Sequence, residues 1–253
     1  MESPRAVAGR AISVAMDKAL ELHRGAVLAH LHRLRRTRPD ATPAELLAAL
    51  ERYYLSAVTA GGVLAGGVAA VPGVGTAMAT VVNLAQVPAF FEATALLALS
   101  YAEVHGVPVD DLERRKTLVF GTLLGEGGSK TILKFGGRFG KHWGKVITTA
   151  VDLKTLKAIN SVLGPNVVTK WGTKQGILVI GRDLPFGIGA GVGGIGNAGF
   201  GYLSVRSVRK AFGPPPTDFP IDLEPQPATT IGPDDPETTT AARASGDVPS
   251  DDA

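Results

Sequence analysis

The longest stretch of the chain without a charged residue runs from Tyr53 to Phe91 and holds 39 residues. Val71–Gly73 divides it, and because proline and glycine interrupt regular structure, we expect a turn between two helices there. A second uncharged stretch, Leu184–Val205, holds 22 residues, of which eight are glycine. Since neither stretch can present a charged face to water, each must bury its surface against protein or lipid.

Glycines in both stretches recur at intervals of four residues, which places them on one face of a helix. Examples are Gly62 with Gly66 and Gly187 with Gly191. Small residues at this spacing let helix backbones approach closely, both in lipid and in tightly packed soluble bundles. We therefore predict that the two glycine-rich segments pack against each other. The residues predicted to form this helix packing or membrane hairpin are Gly61, Gly62, Gly66, Gly67, Pro72, Gly73, Gly75, Gly187, Gly189, Gly191 and Gly193.

Apolar residues recur with helical spacing through the rest of the chain, which predicts an all-α, multi-helix bundle. Thr42–Glu45 is a helix-start signal, because the threonine can cap the helix and the glutamate completes a capping box. Asp110 and Asp111 suit the positive end of a further helix. Gly164–Pro165 predicts a helix end. The apolar run Ile177–Ile180 has the length of a short strand, but it stands alone among helical segments.

Charge and composition divide the chain into three parts. We predict a basic amphipathic N-terminal helix over residues 1–40. Over residues 41–212 we predict a helical domain that contains both glycine-rich segments. Residues 213–253 hold nine acidic residues, one arginine and nine of the seventeen prolines, so we predict a disordered acidic tail. The remaining 212 residues hold 25 basic and 14 acidic residues, which favours an anionic partner.

The two arms of the first uncharged stretch are short for a membrane span. Taken as helices, residues 53–71 and 75–91 would reach roughly 28 and 26 Å at about 1.5 Å per residue. The hydrocarbon core of a bilayer is about 30 Å thick. The lengths are therefore marginal for a spanning hairpin and sufficient for a shallow or re-entrant one.

Aromatic and basic residues alternate from Phe135 to Lys145. The aromatic residues lie four apart, and such a stripe beside cations suits the headgroup region of an anionic bilayer. The alternative is an amphipathic core helix with solvated lysines. No helix-turn-helix, zinc or strand-borne aromatic motif accompanies the stripe, so we do not expect a nucleic-acid partner. The residues predicted to contact a membrane surface are Phe135, Arg138, Phe139, Lys141, Trp143 and Lys145.

Residues that carry catalysis or bind metals are sparse. The chain has no cysteine, which excludes disulfides, thiolate metal sites and a cysteine nucleophile. Gly194–Gly199 matches the dinucleotide pattern G-x-G-x-x-G, but no clear strand precedes it. His30 and His32 lie two residues apart, which splits them across a helix. We expect no metal and no cofactor, and we expect Glu92 to reach water or pair with a basic residue rather than act as a catalytic acid.

The order of these segments resembles the EcsC family, a bacterial group, over most of residues 45–212. "VPGVGTA" (Val71–Ala77) closes the first glycine-rich stretch, and the following helix ends in "YAEVHGVPVDDLERR" (Tyr101–Arg115). "LPFGIGAGVGGIGNAGFGYLSVRSVRKAF" (Leu184–Phe212) is similar to the family's P-x-x-G-A-x-x-G-G…N segment and closing basic helix. Asn83 stands where an acidic residue is expected in relatives. The resemblance implies a mostly helical, non-enzymatic protein at or near the membrane, and it carries over no catalytic residue.

Our leading hypothesis is a membrane-associated protein without enzymatic activity, which binds or scaffolds at the cytoplasmic face of the cell membrane. It would be peripheral or shallowly inserted, with an anionic membrane surface or lipid as its partner. Because the family takes its name from a gene beside an ABC transporter, a membrane transporter is a further candidate partner. One alternative is a soluble helical bundle that binds a lipid or another apolar ligand. The second alternative is an enzyme that uses a carboxylate at Glu92.

Overall fold

The computed structural model describes the backbone of residues 4–69, 75–135, 142–182 and 188–223, and the side chains of residues 10, 12–63, 87–135, 142–170 and 197–223. This part of the chain contains helices and no strand, which confirms the predicted all-α bundle. Its α-helices are α1 (Pro4–Leu20), α2 (Arg24–Arg36), α3 (Pro43–Ala69), α4 (Gly75–Val104), α5 (Leu112–Leu124), α6 (Glu126–Phe135), α7 (Trp143–Thr149), α8 (Leu153–Arg182) and α9 (Ile188–Phe212), followed by a 3-10 helix at Ile221–Leu223.

Hydrogen bonds confirm two of the predicted helix starts. Before α3, the backbone N–H of Thr42 donates to Oε2 of Glu45 over 2.9 Å, and the backbone N–H of Glu45 donates to Oγ1 of Thr42 over 3.3 Å. This is the capping box that the sequence predicts. Asp111 caps α5, because its Oδ1 accepts the backbone N–H groups of Glu113 and Arg114.

The predicted helix end at Gly164–Pro165 is wrong, and the short strand considered at Ile177–Ile180 does not form, because α8 continues through both. Pro165 is exposed, so the carbonyl group that loses its helical partner can bond to water. Leu163 and Val167 are fully buried on the opposite side of the helix, and this packing favours its continuation. A lone strand at 177–180 would find no second strand to pair with in the part of the chain that the structure describes.

The predicted N-terminal helix over residues 1–40 is divided into α1 and α2. Lys18 pairs with Glu92 and Arg24 pairs with Glu103, and both glutamates lie on α4. Along α4 these two positions are about 16 Å apart, whereas six residues of a continuous helix would cover only about 9 Å. A break in the helix at residues 21–23 lets the chain reach both partners.

Helix α4 is the central helix of the core, and it packs against α1, α2, α3, α5 and α9. Within the described residues, Val87–Val104 is the one segment long and apolar enough to cross a membrane, judged by length and composition alone. However, 72% of this segment is buried inside the protein. It therefore has the properties of a core helix and gives little evidence for a membrane span.

Glycine allows α5, α6 and α7 to pack closely. A Cβ atom on Gly121 would lie 2.6 Å from Cη2 of Trp143, and a Cβ atom on Gly128 would lie 2.7 Å from the carbonyl oxygen of Gly121. Both distances are shorter than any side chain tolerates. The fully buried Trp143 ring therefore fills space that only glycine leaves open.

The helical body extends past both limits of the predicted 41–212 domain. Residues up to Leu223 form one unit, which includes α1 and α2. Leu223 is fully buried, and the guanidinium of Arg35 lies 4.0 Å from the ring centroid of Phe219. The predicted start of the tail at residue 213 is therefore too early, because these two apolar side chains attach residues 213–223 to the helices. Residues 224–253, the remainder of the predicted tail, lie outside the described residues.

Candidate functional site

The most extensive helix pairing is between α3 and α9, which run antiparallel. In the first half of α3, Glu51 accepts a 2.6 Å hydrogen bond from Nε of Arg209, near the end of α9. Further along α3, the carbonyl oxygen of Val58 accepts the side-chain amide of Asn197 over 3.3 Å. Each successive turn of α3 therefore lies beside an earlier turn of α9.

Helix α4 is also antiparallel to α3. The Tyr101 hydroxyl donates to Glu51, and the hydroxyl groups of Tyr54 and Thr94 lie 2.9 Å apart. Gly201 of α9 lies against the same tyrosine, because a Cβ atom on it would be 3.6 Å from the Tyr54 ring. Tyr54, Thr94 and Gly201 therefore mark one level across the three helices.

The uncharged stretches end close to this level. Arg52 is the last charged residue of α3, Glu92 is the first of α4 and Arg206 is the first of α9. We call these three positions the charge boundary. Beyond it, α3 over 53–69, α4 over 75–91 and α9 over 188–205 carry no charged residue, and we call these parts together the apolar end. The fold thus places two stretches that are distant in sequence at one end of the bundle.

Large side chains are exposed at the charge boundary and beyond it. Tyr53 and Tyr202 are 63% and 61% exposed, and they adjoin Tyr54 and Gly201, so they lie at the same level. Val63, further into the apolar end, is 47% exposed. Tyrosine is enriched where membranes meet water, because its ring is apolar and its hydroxyl is polar. Exposed apolar side chains on a charge-free surface indicate an interaction surface.

Glu92 lies at the charge boundary in an exposed ion pair. Its Oε1 is 2.8 Å from Nζ of Lys18 on α1, and the two side chains are 41% and 61% exposed. We expected Glu92 either to reach water from a helix face or to be a buried partner of a basic residue, and it pairs with a basic residue on an exposed face instead. An ion pair this exposed contributes little to stability.

On the charged side of the boundary, an ion pair between the buried Glu51 and the exposed Arg209 joins α3 and α9, and Tyr101 of α4 bonds to the same carboxylate. Arg209 donates to both oxygens of Glu51, and Tyr101 donates to one of them. Burial, together with the adjacent Glu51 carboxylate, raises the pKa of the Tyr101 phenol, so this hydroxyl stays protonated. Hydrogen bonding to the same carboxylate raises the pKa of Arg209.

A second ion pair joins α2 and α4 to the segment after α9. Arg24 donates to the two oxygens of Glu103 over 2.8 and 3.0 Å, and to Oδ2 of Asp222 over 2.6 Å. The Glu103 and Asp222 carboxylates raise the pKa of Arg24. Neither ion pair was predicted from the sequence, although Glu51 and Glu103 each stand on an otherwise apolar helix face, which is the local signal of such a pair. Because donors occupy the oxygens of both glutamates, these groups suit structural joining better than catalysis.

Two histidines lie in partly buried positions. The ring of His105 lies 5.2 Å from the ring of Phe212, with Nδ1 2.8 Å from the carbonyl oxygen of Tyr101. Burial lowers the pKa of His105, although this hydrogen bond acts in the opposite direction. Burial and the nearby Arg33 lower the pKa of His30. Within the described residues, no group of three or more His, Asp or Glu side chains could hold a metal ion.

The predicted helix-packing glycines are described only in part. Gly62 is buried and Gly61 is half-buried on α3. Others lie on the described helix backbones, but their packing lies outside the described side chains: Gly66, Gly67, Gly75, Gly189, Gly191 and Gly193. Three lie outside the described residues: Pro72, Gly73 and Gly187. The α3–α9 register directs the two glycine-rich segments towards each other, and their mutual packing stays a prediction.

The predicted basic and aromatic stripe does not form one continuous helix face. Phe135 ends α6 and is 45% exposed, whereas Trp143 begins α7 and is fully buried. Trp143 therefore packs in the core against Gly121 and cannot contact a membrane surface in this structure. Lys145 is half-buried. The remaining members of the stripe lie outside the described residues: Arg138, Phe139 and Lys141.

A small apolar cleft lies between α3, α4 and α9 at the start of the apolar end. Its volume is about 130 Å³, and its lining includes Val58, Gly61, Phe90 and Asn197. Pockets for drug-sized ligands have volumes of about 300–1,000 Å³. This cleft is therefore too small to enclose a lipid chain.

Comparison with protein-family models, curated proteins and solved structures found no match to this chain. The resemblance to the EcsC family consequently stays a prediction.

Proposed function

We propose that the chain is a non-enzymatic, membrane-associated protein that binds the cytoplasmic face of the membrane through its apolar end. The observation that carries this proposal is the charge boundary, because the uncharged parts of three helices begin at nearly one level. A water-soluble end of a bundle needs polar groups on its outward face. Exposed Tyr53, Val63 and Tyr202 give this end the opposite character.

The dimensions favour shallow insertion. From Tyr53 to the end of α3 at Ala69 there are 17 residues, or about 25 Å of helix. A hydrocarbon core is about 30 Å thick, so the apolar end would enter the membrane without crossing it. The neighbouring helices α1 and α8 contain Arg10, Lys18, Lys170 and Lys174, and such cations favour an anionic bilayer.

Scaffolding rather than catalysis suits the rest of the molecule. The buried acidic groups that a reaction could use, Glu51 and Glu103, are already bound to Arg209 and Arg24. In our proposal they hold the helices in the register that forms the charge boundary. The resemblance to the EcsC family adds a membrane transporter as a candidate partner of the bound protein.

Vesicle flotation with a matched pair of variants tests the proposal. Val63 lies about 15 Å beyond Tyr53 along α3, and Val63→Asp places a charge on the apolar end. We expect it to cost about 2 kcal/mol of binding, or roughly thirtyfold in affinity, to vesicles of phosphatidylcholine and phosphatidylglycerol. The control is Val162→Asp on α8, because Val162 is also a partly exposed valine, at 38%, but it lies two residues from Asn160, whose side-chain amide donates to the Glu113 carboxylate in a charged part of the bundle.

The expected result is that the wild type and Val162→Asp float with the vesicles while Val63→Asp stays in solution. Circular dichroism of all three proteins excludes unfolding as the cause. Equal loss of binding in the two variants, or a wild type that stays in solution at low salt, would overturn the proposal. Carbonate extraction of cell membranes then distinguishes shallow insertion from purely electrostatic attachment.

A further inference from the structure

A groove lies beside the charge boundary, where the turn between α5 and α6 meets α8 and α9. Its larger part has a volume of about 260 Å³. A smaller part of about 50 Å³ adjoins it, and the two parts share Glu126 and Leu203. A water molecule occupies about 30 Å³ in the liquid, so the larger part has room for a group of several heavy atoms.

The groove is apolar on one side and cationic on the other. Leu123, Phe200 and Leu203 supply apolar surface, and Leu203 is 47% exposed. Lys170, Arg206 and Lys210 line the same groove. An apolar surface next to a set of cations is what the junction of a lipid tail and an anionic headgroup requires.

The positions of the cations are set by the fold. Nζ of Lys170 donates to the carbonyl oxygen of Leu124 over 2.5 Å, which holds the ammonium group at the groove wall. Arg206 and Lys210 lie four residues apart on α9, on one face of the helix, and both are exposed. Glu126 is the one acidic residue among the described lining residues. The three cations therefore leave the lining with an excess of positive charge.

We propose that this groove binds the phosphate headgroup of an anionic phospholipid, with its acyl chains lying along the apolar end. This inference rests on the proposed membrane function, and it names the chemical class that the protein recognises there. Arg206 belongs to the charge boundary, and Tyr202 adjoins Leu203 on its membrane side. The groove therefore lies at the depth where lipid phosphates lie when the apolar end is inserted.

The first experiment compares two charge-matched double variants in vesicle binding. Arg206→Gln with Lys210→Gln removes one arginine and one lysine from the groove. Arg38→Gln with Lys154→Gln removes the same charges from exposed positions that do not line it. Because each cation near an anionic surface contributes about fivefold in affinity, we expect about a thirtyfold loss for the groove variant on vesicles containing phosphatidylglycerol. The control variant should lose much less.

A third variant removes a negative charge from the groove and should therefore change the affinity in the opposite direction. Glu126→Gln removes the one acidic side chain in the described lining of the groove, so it should raise the affinity for phosphatidylglycerol vesicles several-fold. On vesicles of phosphatidylcholine alone, the groove variant, the control and Glu126→Gln should bind like the wild type. Equal losses in the two double variants, or no gain from Glu126→Gln, would overturn the groove assignment in favour of general charge attraction.

The second experiment needs no membrane and separates the two proposals. Monomeric dihexanoyl phosphatidylglycerol is titrated into the full chain and followed by NMR or calorimetry, with glycerol phosphate as the soluble source of the same anion. We expect the short-chain lipid to bind the wild type and the control, and to lose binding in the groove variant. Equal affinity for glycerol phosphate would overturn the lipid assignment. If the wild type binds the short-chain lipid, the groove variant does not, and the wild type fails to float with vesicles, the proposed membrane function is wrong and the groove still binds the lipid headgroup.

Discussion

Two adjacent glycines in α6 give opposite predictions for the same substitution. Gly128→Ala places a Cβ atom 2.7 Å from the carbonyl oxygen and 2.9 Å from Cα of Gly121, whereas Gly127→Ala meets nothing within 4 Å. Both positions lie in the first turn of one helix and gain the same residue. The difference between the two variants therefore measures the close packing of α5 and α6, and Gly127→Ala serves as the control.

The magnitude follows from the contacts at Gly128. Two of the short distances are to backbone atoms of α5, so no side-chain rotation relieves them and the two helices must separate. Overpacking of this kind costs about 1–3 kcal/mol, and the helix preference of alanine returns up to about 1 kcal/mol. We expect a net loss of about 1–2 kcal/mol for Gly128→Ala and a gain of a few tenths of a kcal/mol for Gly127→Ala.

Urea unfolding followed by far-UV circular dichroism measures both variants. For a chain of this size each kcal/mol moves the melting temperature by about 2–4 °C, so thermal melts give a second readout. Gly128→Ala should also change tryptophan fluorescence, because Gly121 contacts the ring of Trp143. If Gly128→Ala is as stable as Gly127→Ala, α5 and α6 do not approach as closely as described. The wall of the groove that the turn between these helices forms would then be incorrect as well.

Three further predictions concern the ion pairs, the histidines and the tail. Arg209→Met should destabilise the protein by about 2 kcal/mol in urea, because the buried Glu51 carboxylate loses two donors, and adding Glu51→Leu should recover part of the loss. Burial lowers the pKa of His30 and His105 below the 6.5 of the unfolded chain, so stability should be complete above about pH 6.5 and fall as the pH drops through that value towards the folded-state pKa. His105→Gln should reduce this fall in urea titrations at a series of pH values. A chain that ends at Leu223 loses seven acidic residues and one arginine, so its net charge rises from +3 to +9, and it should bind phosphatidylglycerol vesicles more tightly at low salt.

Local signals in the sequence predicted the parts of the fold that depend on neighbouring residues. The capping box joins Thr42 and Glu45, which are three residues apart, and Asp111 accepts the backbone N–H of Glu113, two residues away. The local sequence therefore contains all the residues that each cap needs. The turn expected at Val71–Gly73 lies outside the described residues and stays a prediction. The all-α class follows from the helical spacing of apolar residues in the same way.

The wrong predictions concern features that are determined by contacts between residues distant in sequence. Trp143 has the spacing of a surface stripe, but Gly121 offers its ring a space in the core that no local pattern reveals. Pro165 interrupts helices in most contexts, yet burial of Leu163 and Val167 beside it holds α8 together. Apolar residues near the start of the acidic tail likewise bind the body, because Phe219 and Leu223 find partners there.

The charge boundary also depends on contacts between residues that are distant in sequence, and its position in the bundle is therefore informative about function. The sequence defines where each uncharged stretch ends, but only contacts such as Glu51 with Arg209 and Tyr54 with Thr94 bring those ends to one level. A bundle that stays in water can stagger such stretches, so that the charged turns of one helix cover the apolar turns of the next. Here the three helices are aligned instead, and Tyr53 and Tyr202 remain exposed at their common level. A lipid surface would cover the apolar surface that this alignment leaves exposed, and for this reason we propose that the membrane binds this end of the bundle.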